Sequence, residues 1–270
     1  MRTIAFYRPG RTFPTISVTG AECALMCEHC QGRYLQGMLP ARSPEELLEI
    51  AVRMQEQGAA GFLLSGGCDK DGKVPLAPFL PVVHHIKRTT NLKINMHPGL
   101  LSDVEAEEMG RAGADRISFD LVLDPNVLRE RMHLDRTPED VIHSFRSLCR
   151  AAPGKVAPHV LLGLGDPDIE LDAIRTAGTE DVPCLILLSL LGKKVEGWDE
   201  RLLRAVSAAT GTGRPVILGC MRPRGYSDVE MAALEAGASG MACPSSTIIN
   251  EVEERGWKGV WHQGCCALHR

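Results

Sequence analysis

The sequence has no run of basic residues and no apolar stretch long enough to cross a membrane. Its 30 lysines and arginines are scattered along 270 residues, and the formal net charge is −4 with a pI near 6.1. Such a chain offers no basic patch to nucleic acid or to anionic lipid. The segment MRTIAFYRPGRTF also lacks the apolar core of a signal peptide. We therefore expect a cytoplasmic protein that binds a small molecule or another protein, with no nucleic acid and no membrane.

Ten cysteines are present, although disulfides are rare in the reducing compartment expected here. Cysteines that are grouped in sequence therefore indicate metal or redox chemistry. Cys149 lies late in a predicted helix and Cys184 opens an apolar strand. We interpret both as packing residues, because a free thiol behaves as a small apolar group.

Apolar runs typical of buried strands alternate with helix-like segments. Helix starts are clearest at Ser43 and Thr137, each followed by a proline and two acidic residues. Three segments, QGAAGFLLSGG, RAGADRISFD and EAGASGMACPS, share one pattern of helix stop, turn and strand, as expected of a repeated unit. The eight apolar runs cover residues 15–20, 61–67, 93–99, 116–122, 157–164, 184–190, 215–221 and 240–245.

Eight strand–helix pairs in about 250 residues predict an α/β fold, a closed (β/α)8 barrel over about residues 14–256. A doubly wound open sheet is the alternative. We expect a single domain over residues 1–270, with a short N-terminal extension and a C-terminal tail, residues 257–270, over the barrel mouth. Catalytic residues of such barrels lie at the C-terminal ends of the strands, which directs attention to the residues after each apolar run.

The segment CALMCEHC, residues 23–30, follows the first predicted strand. It gives Cys23, Cys27 and Cys30 the spacing C-x3-C-x2-C, so that three thiolates lie on one short loop. A 4Fe-4S cluster held by three cysteines keeps one iron open to a small molecule. A structural zinc site is the alternative, but it would need a fourth ligand in closed geometry, and His29 is wedged between two of the candidate ligands. An open cluster is the better interpretation.

This motif, in this position, resembles that of the radical S-adenosylmethionine (SAM) enzymes. The resemblance implies that the open iron binds the methionine part of SAM and that an electron from the cluster yields a hydrogen-abstracting 5′-deoxyadenosyl radical. It also implies that Gly66 and Gly67, in LLSGGC, meet the methionine amino group. His29 and Cys68 stand where the family often has an aromatic and an acidic residue.

Longer segments resemble the biotin and lipoyl synthase branch of that superfamily. ISVTGAECALMCEHCQGRYLQGM, LLSGGCDKDGKVPL, LGCMRPRG and the closing CC are most similar to the two-protein lipoyl synthases. The resemblance implies sulfur insertion at an unactivated C–H bond of an octanoyl chain, as one step of lipoyl formation. It implies three partners: an octanoyl-lysine carrier protein or peptide, a second radical SAM subunit, and an electron donor such as ferredoxin or flavodoxin. Other radical SAM chemistry, in cofactor biosynthesis or methylation, and a non-catalytic iron-sulfur protein are the alternatives.

A second 4Fe-4S cluster is predicted from cysteines outside the triplet. Cys68 and Cys220 follow apolar strands, and Cys265 and Cys266 form an adjacent pair near the C-terminus. We predict these four as the ligands, with Cys243 in reserve. The cluster could donate sulfur, relay electrons or plug the barrel. Solvent-exposed thiols and buried packing cysteines are the alternative.

Polar residues at other strand ends are candidates for binding SAM or substrate. Arg131 and Arg222 are candidate partners for a carboxylate, because an arginine guanidinium binds a carboxylate through two parallel hydrogen bonds. The predicted set consists of His97, Ser118, Asp120, His159 and Arg131, together with His29, Gly66 and Gly67 from the two motifs.

Overall fold

The computed structural model describes residues 1–189 and 197–269, and strands and helices alternate along them. The strands are β1 (Thr3–Tyr7), β2 (Thr15–Ser17), β3 (Leu39–Pro40), β4 (Gly61–Ser65), β5 (Lys93–Met96), β6 (Arg116–Asp120), β7 (Val156–Leu162), β8 (Leu185–Ser189), β9 (Val216–Leu218), β10 (Gly240–Ala242) and β11 (Lys258–His262). The helices are α1 (Pro44–Glu56), α2 (Leu80–Thr89), α3 (Asp103–Arg111), α4 (Pro138–Ala151), α5 (Pro167–Gly178), α6 (Trp198–Gly211), α7 (Ser227–Glu235) and α8 (Ser246–Glu254).

All strands of the described residues belong to one sheet, in the order β11-β1-β10-β9-β8-β7-β6-β5-β4-β2-β3, and every pairing is parallel. The eight predicted strands, β2 and β4 to β10, are neighbours in chain order, which confirms an α/β fold of the β/α-barrel type. Residue 190, the last of one predicted strand, lies outside the described residues.

The sheet is curled but has two ends, β3 and β11, so strand pairing does not close it. It also extends beyond the predicted limits of 14–256, because β1 pairs with β10 and β11 pairs with β1. The expected N-terminal extension is therefore itself a strand. Its sequence, TIAFY, forms a strand by pairing with β10 and β11 near the other end of the chain, and a local apolar pattern does not encode such long-range pairing.

Side-chain caps explain where several helices begin. Ser102 and Thr137 each accept a hydrogen bond from the backbone N–H three residues later, and the acid at that position reaches back to the cap. Such capping boxes satisfy N–H groups that a helix start leaves unpaired. No helix in the described part of the chain is both long and apolar enough to span a membrane.

The C-terminal tail enters the barrel instead of only covering its mouth. Cys266 and Ala267 are buried in one apolar cluster with Ala157 and Ile186, which face the barrel interior. The His269 carbonyl accepts a hydrogen bond at 3.0 Å from Arg116, the first residue of β6. The tail thus runs from the C-terminal end of the strands toward their N-terminal end, and its small residues fit the lumen.

Candidate active site

The first cysteine set, Cys23, Cys27 and Cys30, lies on a tight loop after β2. The Cys27 carbonyl accepts hydrogen bonds from the N–H groups of Cys30 and Gln31, at 3.0 and 2.8 Å. Met26 and Gln31 have positive φ angles of 45° and 50°. Such conformations cost non-glycine residues on the order of 1–3 kcal/mol and concentrate at functional sites. The loop conformation is therefore imposed by its surroundings.

The segment after β6 helps to impose it. The Arg131 carbonyl accepts a hydrogen bond from Glu28 N–H at 2.8 Å, and His133 Nδ1 lies 2.7 Å from the Leu25 carbonyl oxygen. Arg131, a predicted cofactor-binding residue, is exposed, and its main chain supports the cysteine loop.

The two glycines after β4 press against the same loop. A Cβ atom on Gly67 would lie 1.9 Å from the Glu22 carbonyl oxygen and 2.6 Å from Cys23 Cβ. A Cβ atom on Gly66 would meet Thr19 at 3.1 Å, which is tight but not prohibitive. The Gly67 N–H donates to Thr19 Oγ1 at 2.8 Å. Only glycine at position 67 lets the strand end and the cysteine loop approach this closely.

Two thiols of this region, those of Cys27 and Cys68, have raised pKa values. Burial, followed by the charge of Cys23 and Cys30, raises the pKa of Cys27 to about 12. Burial and the same group of thiols raise the pKa of Cys68 to about 12. A reactive cysteine would have a lowered pKa, whereas a metal cation compensates the charge of several thiolates held together. Three thiolates on one loop are a suitable donor set for an iron-sulfur cluster.

His29 lies in the same loop with its ring in the interior. Its Nδ1 is buried and has no hydrogen-bond partner among the described residues. Burial lowers the pKa of His29, so the ring is neutral at physiological pH. A buried polar atom of this kind is normally satisfied, which suits a ring that faces a bound molecule.

His97, Asp120 and His159, which we call the acid–histidine group, meet where β5 and β6 end beside the middle of β7. His97 Nε2 lies 3.3 Å from Asp120 Oδ2, and His159 Nδ1 lies 3.4 Å from Asp120 Oδ1. One ligand atom from each residue lies within 4.8 Å of the others, so the group could also hold a metal ion. His159 Nε2 is buried without a hydrogen-bond partner in the described part of the chain.

The pKa values of the two imidazoles are shifted in opposite directions. Burial alone would lower the pKa of His97, but the charge of Asp120 and its hydrogen bond outweigh that effect and raise it. For His159 burial is decisive, and its pKa is lowered. Burial would raise the pKa of Asp120, yet both histidines hold it well below its usual range. The group therefore combines a carboxylate of lowered pKa with one imidazole of raised pKa and one of lowered pKa.

A polar layer lies below this group. Asn95 Nδ2 donates to Ser118 Oγ at 2.9 Å and lies 3.5 Å from Cys265 Sγ. Ser118, predicted to face the mouth, is thus buried and paired with Asn95. Asn95 itself was not predicted, although its position two residues before His97 places both side chains on the inner face of β5.

The second cysteine set is Cys220, Cys243 and Cys265. Cys220 follows β9, Cys243 follows the neighbouring strand β10, and the tail brings Cys265 to them. Desolvation, then the charge of Cys265 and Cys243, raises the pKa of Cys220 to about 11. A hydrogen bond from Cys266, against the effect of burial, lowers the pKa of Cys265 to about 7. Cys266 is buried beside it, and its pKa is raised.

Cys68, predicted with the second set, lies instead beside the first. Its carbonyl accepts a hydrogen bond from Ala24 N–H at 2.8 Å, within the first cysteine loop. Sheet order explains this, since β4, which precedes Cys68, pairs with β2 and is distant from β9 in the sheet. Cys243, the reserve ligand, takes the place next to Cys220.

The acid–histidine group lies on β5, β6 and β7, between the strands that carry the two cysteine sets in the sheet order. The charge of Asp120 acts on Cys27 and Cys68, and the charges of His97 and Cys265 act on each other. A molecule bound at this group would therefore have the first set on one side and the second set on the other.

Comparison with known proteins bears on the fold and on the first cysteine set. The sequence profile of the radical SAM superfamily matches residues 17–176. The chain is 25% identical over 173 residues to tRNA-2-methylthio-N(6)-dimethylallyladenosine synthase from Finegoldia magna, a match that covers 58% of this chain and 38% of that protein. The chain thus spans well under half of the length of this curated relative.

Two solved structures share the fold. Methylornithine synthase superposes with a TM-score of 0.60 at 15% identity, over 97% of this chain and 84% of that chain. The FeFe-hydrogenase maturase HydG from Carboxydothermus hydrogenoformans superposes with a TM-score of 0.66 at 16% identity, over 95% and 67%. With its cysteine loop inside the profile match, which covers more than half of the sequence, the chain belongs to the radical SAM superfamily.

Proposed function

We propose that this radical SAM enzyme inserts sulfur at an unactivated C–H bond, as one step of lipoyl formation on an octanoylated protein. The family implies a 4Fe-4S cluster and SAM. Cys23, Cys27 and Cys30 are the residues that would hold the cluster. When bound, these groups supply the 5′-deoxyadenosyl radical that abstracts hydrogen.

The observation that carries the proposal is the second cysteine set. A radical enzyme that only rearranges or cleaves its substrate needs one cluster, whereas sulfur insertion also needs a sulfur atom held close to the substrate carbon. A donor fixed in the site acts at a high effective concentration, which free sulfide does not reach. We propose Cys220, Cys243 and Cys265 as ligands of a second 4Fe-4S cluster, in place of the predicted combination with Cys68.

Cys266 is a poor fourth ligand. Two adjacent residues reach two irons of one cluster only through a strained turn, and the Cys266 side chain points into the apolar lumen. Its thiol would instead support Cys265 by hydrogen bonding.

The space between the two cysteine sets is the proposed substrate site. Gly66, Gly67, His29 and Arg131 remain candidates for binding SAM on the side of the first set. The acid–histidine group offers the Asp120 carboxylate and His159 Nε2, which has no hydrogen-bond partner among the described residues, to ribose hydroxyls or to the substrate. Because an octanoyl chain carries no polar group at the reacting carbons, its position would be fixed by the apolar lumen and by its carrier.

Three partners belong to this proposal. They are an octanoyl-lysine protein or peptide, a second radical SAM subunit for the other sulfur insertion, and a low-potential electron donor such as ferredoxin or flavodoxin.

Methylthiolation of RNA is the second candidate, favoured by the similarity to the Finegoldia enzyme. It shares the sulfur-insertion step but differs in substrate. The scattered basic residues and the net charge of −4 favour a protein-bound substrate over RNA.

The test removes the tail thiols. In a Cys265→Ala, Cys266→Ala variant, we expect about four irons per chain to be lost, because the second cluster is released while the first remains. SAM cleavage to 5′-deoxyadenosine should continue without a thiolated octanoyl peptide. Cys149→Ala, which removes a thiol buried in α4, is the matched control and should keep both the iron and the product.

Unchanged iron and unchanged product in the tail variant would refute the second cluster. Thiolation of an adenosine-containing RNA, but not of the octanoyl peptide, would replace the lipoyl assignment by the second candidate.

A further inference from the structure

Arg224 joins the main chains of two cysteines of the second set. Its Nη1 donates to the Cys243 carbonyl and its Nη2 donates to the Cys220 carbonyl, both at 2.9 Å. The two cysteines are distant in sequence and lie on loops after neighbouring strands. One planar guanidinium thus bridges the two loops at the ligand residues themselves, a geometry for which arginine is suited and lysine is not.

Arg222 makes a second bridge directly beneath the first. Its Nη1 donates to the Gly219 carbonyl at 2.7 Å and to the Ala242 carbonyl at 2.6 Å. These are the residues immediately before Cys220 and Cys243. The same guanidinium pairs through Nε with Glu230 at 2.5 Å, and the exposed fractions of the two side chains are 4% and 8%. The sequence suggested Arg222 as a residue that binds the carboxylate of a ligand. Its guanidinium instead makes its ion pair and hydrogen bonds with groups of the protein itself.

The backbone of Cys243 is strained and fixed at both ends. Its φ angle is +48°, and its N–H donates to the Tyr7 carbonyl at 2.7 Å. Its own carbonyl accepts from Arg224. A cysteine in a left-handed conformation persists only when its surroundings impose it, and such strain is typical of functional positions.

We propose that Arg222 and Arg224 are positioning residues that hold Cys220 and Cys243 in the geometry for binding metal, and that Arg224 also places positive charge beside the bound cluster. This inference rests on the proposed function, because it needs the second cluster. Ordinary loop packing would not require two arginines whose combined bonds run to both cysteine carbonyls and to the carbonyls just before them.

Two measurable consequences follow. First, removal of the bridge lets the two loops move independently, so the second cluster should dissociate faster. Second, a reduced cluster carries one more negative charge than an oxidised one, so a nearby guanidinium favours reduction. Loss of that charge should lower the reduction potential of the second cluster.

The experiment uses the full chain with Cys23, Cys27 and Cys30 replaced by Ala, so that any remaining cluster signal comes from the second set. After anaerobic reconstitution, iron content, electron paramagnetic resonance spectrum and reduction potential are measured with and without Arg224→Gln. We expect iron loss to a chelator to be about 10-fold or more faster in the Gln variant, the range typical for residues that orient metal ligands. The potential should become more negative.

Two further variants separate the effect of losing the planar bridge from the effect of losing the positive charge. Arg224→Lys keeps the charge but cannot form the planar bridge, so the potential should stay near that of the parent while iron is still lost faster. Arg204→Gln is the matched control, because Arg204 is a half-exposed arginine on α6 that pairs with Asp168. It should leave both the potential and the iron loss unchanged. Circular dichroism confirms that each variant is folded.

The possible outcomes distinguish failure of the proposed second cluster from failure of the proposed role of the arginines. A parent chain without any cluster would overturn the proposed function and this inference with it. A parent chain that holds a cluster, combined with Arg224→Gln and Arg224→Lys variants of unchanged iron retention and potential, would overturn only the role of the arginines.

Discussion

Single residues determine how closely the segment after β4 approaches the loop of the first cysteine set. Gly67 is the clearest case, since the Glu22 carbonyl occupies the place of its missing side chain. The sequence identified Gly67 through a family motif that concerns SAM. The structure adds a packing reason that acts before any cofactor binds.

Gly67→Ala should therefore damage the first site through sterics alone. The added methyl group must displace the cysteine loop, so we expect a loss of about 1–3 kcal/mol in the free energy of unfolding, measured by urea unfolding. Iron bound by the first set and the rate of SAM cleavage should fall together. Gly37→Ala is the control, because no atom lies within 4 Å of a Cβ built there. Wild-type iron content in Gly67→Ala would contradict the steric explanation.

Residue-level prediction is most direct where several candidate ligands share one short segment. Cys23, Cys27 and Cys30 were recognisable because one loop carries all three. Arg224 was not, because its role depends on two carbonyls that any residue could supply and that only the fold brings together. Likewise, Cys68 and Cys243 look alike in sequence, each following an apolar run, and only strand order tells which cysteines are neighbours.

At the scale of elements, the alternation of apolar runs and capped helices was sufficient to predict all eight β/α pairs. The strands that were not predicted are β3, which has only two residues, β11, which is largely exposed, and β1, a buried strand of five residues next to β11. Their formation depends on pairing with strands far away in sequence, which local pattern does not encode. The same limitation explains why the tail was expected over the mouth rather than inside the lumen.

Helices α5 and α6 are held together by a buried ion pair that offers an element-scale test. Arg201 binds both carboxylate oxygens of Glu170 at 2.6 and 2.8 Å, and the side chains are 13% and 9% exposed. Glu170→Gln leaves a buried guanidinium without its counter-charge, so we expect a loss of about 3–5 kcal/mol in the free energy of unfolding.

The control for this prediction lies on the same helix. Asp172 pairs with Arg175 in solvent, with exposed fractions of 63% and 64%. Asp172→Asn should change the free energy of unfolding by less than about 1 kcal/mol. Equal effects of the two substitutions in urea unfolding would show that the buried pair contributes no more than a surface pair.

At the scale of the whole molecule, the curled sheet joins two cysteine sites that are far apart in sequence. The first loop follows β2, and the second set follows β9 and β10 on the other side of the sheet order. The tail adds the last thiol from inside the lumen. The acid–histidine group lies on β5, β6 and β7, between β2 and β9 in the sheet order, and under the proposed function a substrate bound there would face both cysteine sets.

The most direct test follows sulfur from the protein to the product. The chain is reconstituted with iron and sulfide of a heavy sulfur isotope, and then incubated with SAM, a reductant and an octanoyl-lysine peptide, alone and with a second radical SAM protein of the lipoyl synthase type. Our account predicts that this chain alone yields a peptide with a single heavy sulfur atom and that the completed lipoyl group forms only with the partner. Formation of 5′-deoxyadenosine without heavy sulfur in any peptide product would contradict it.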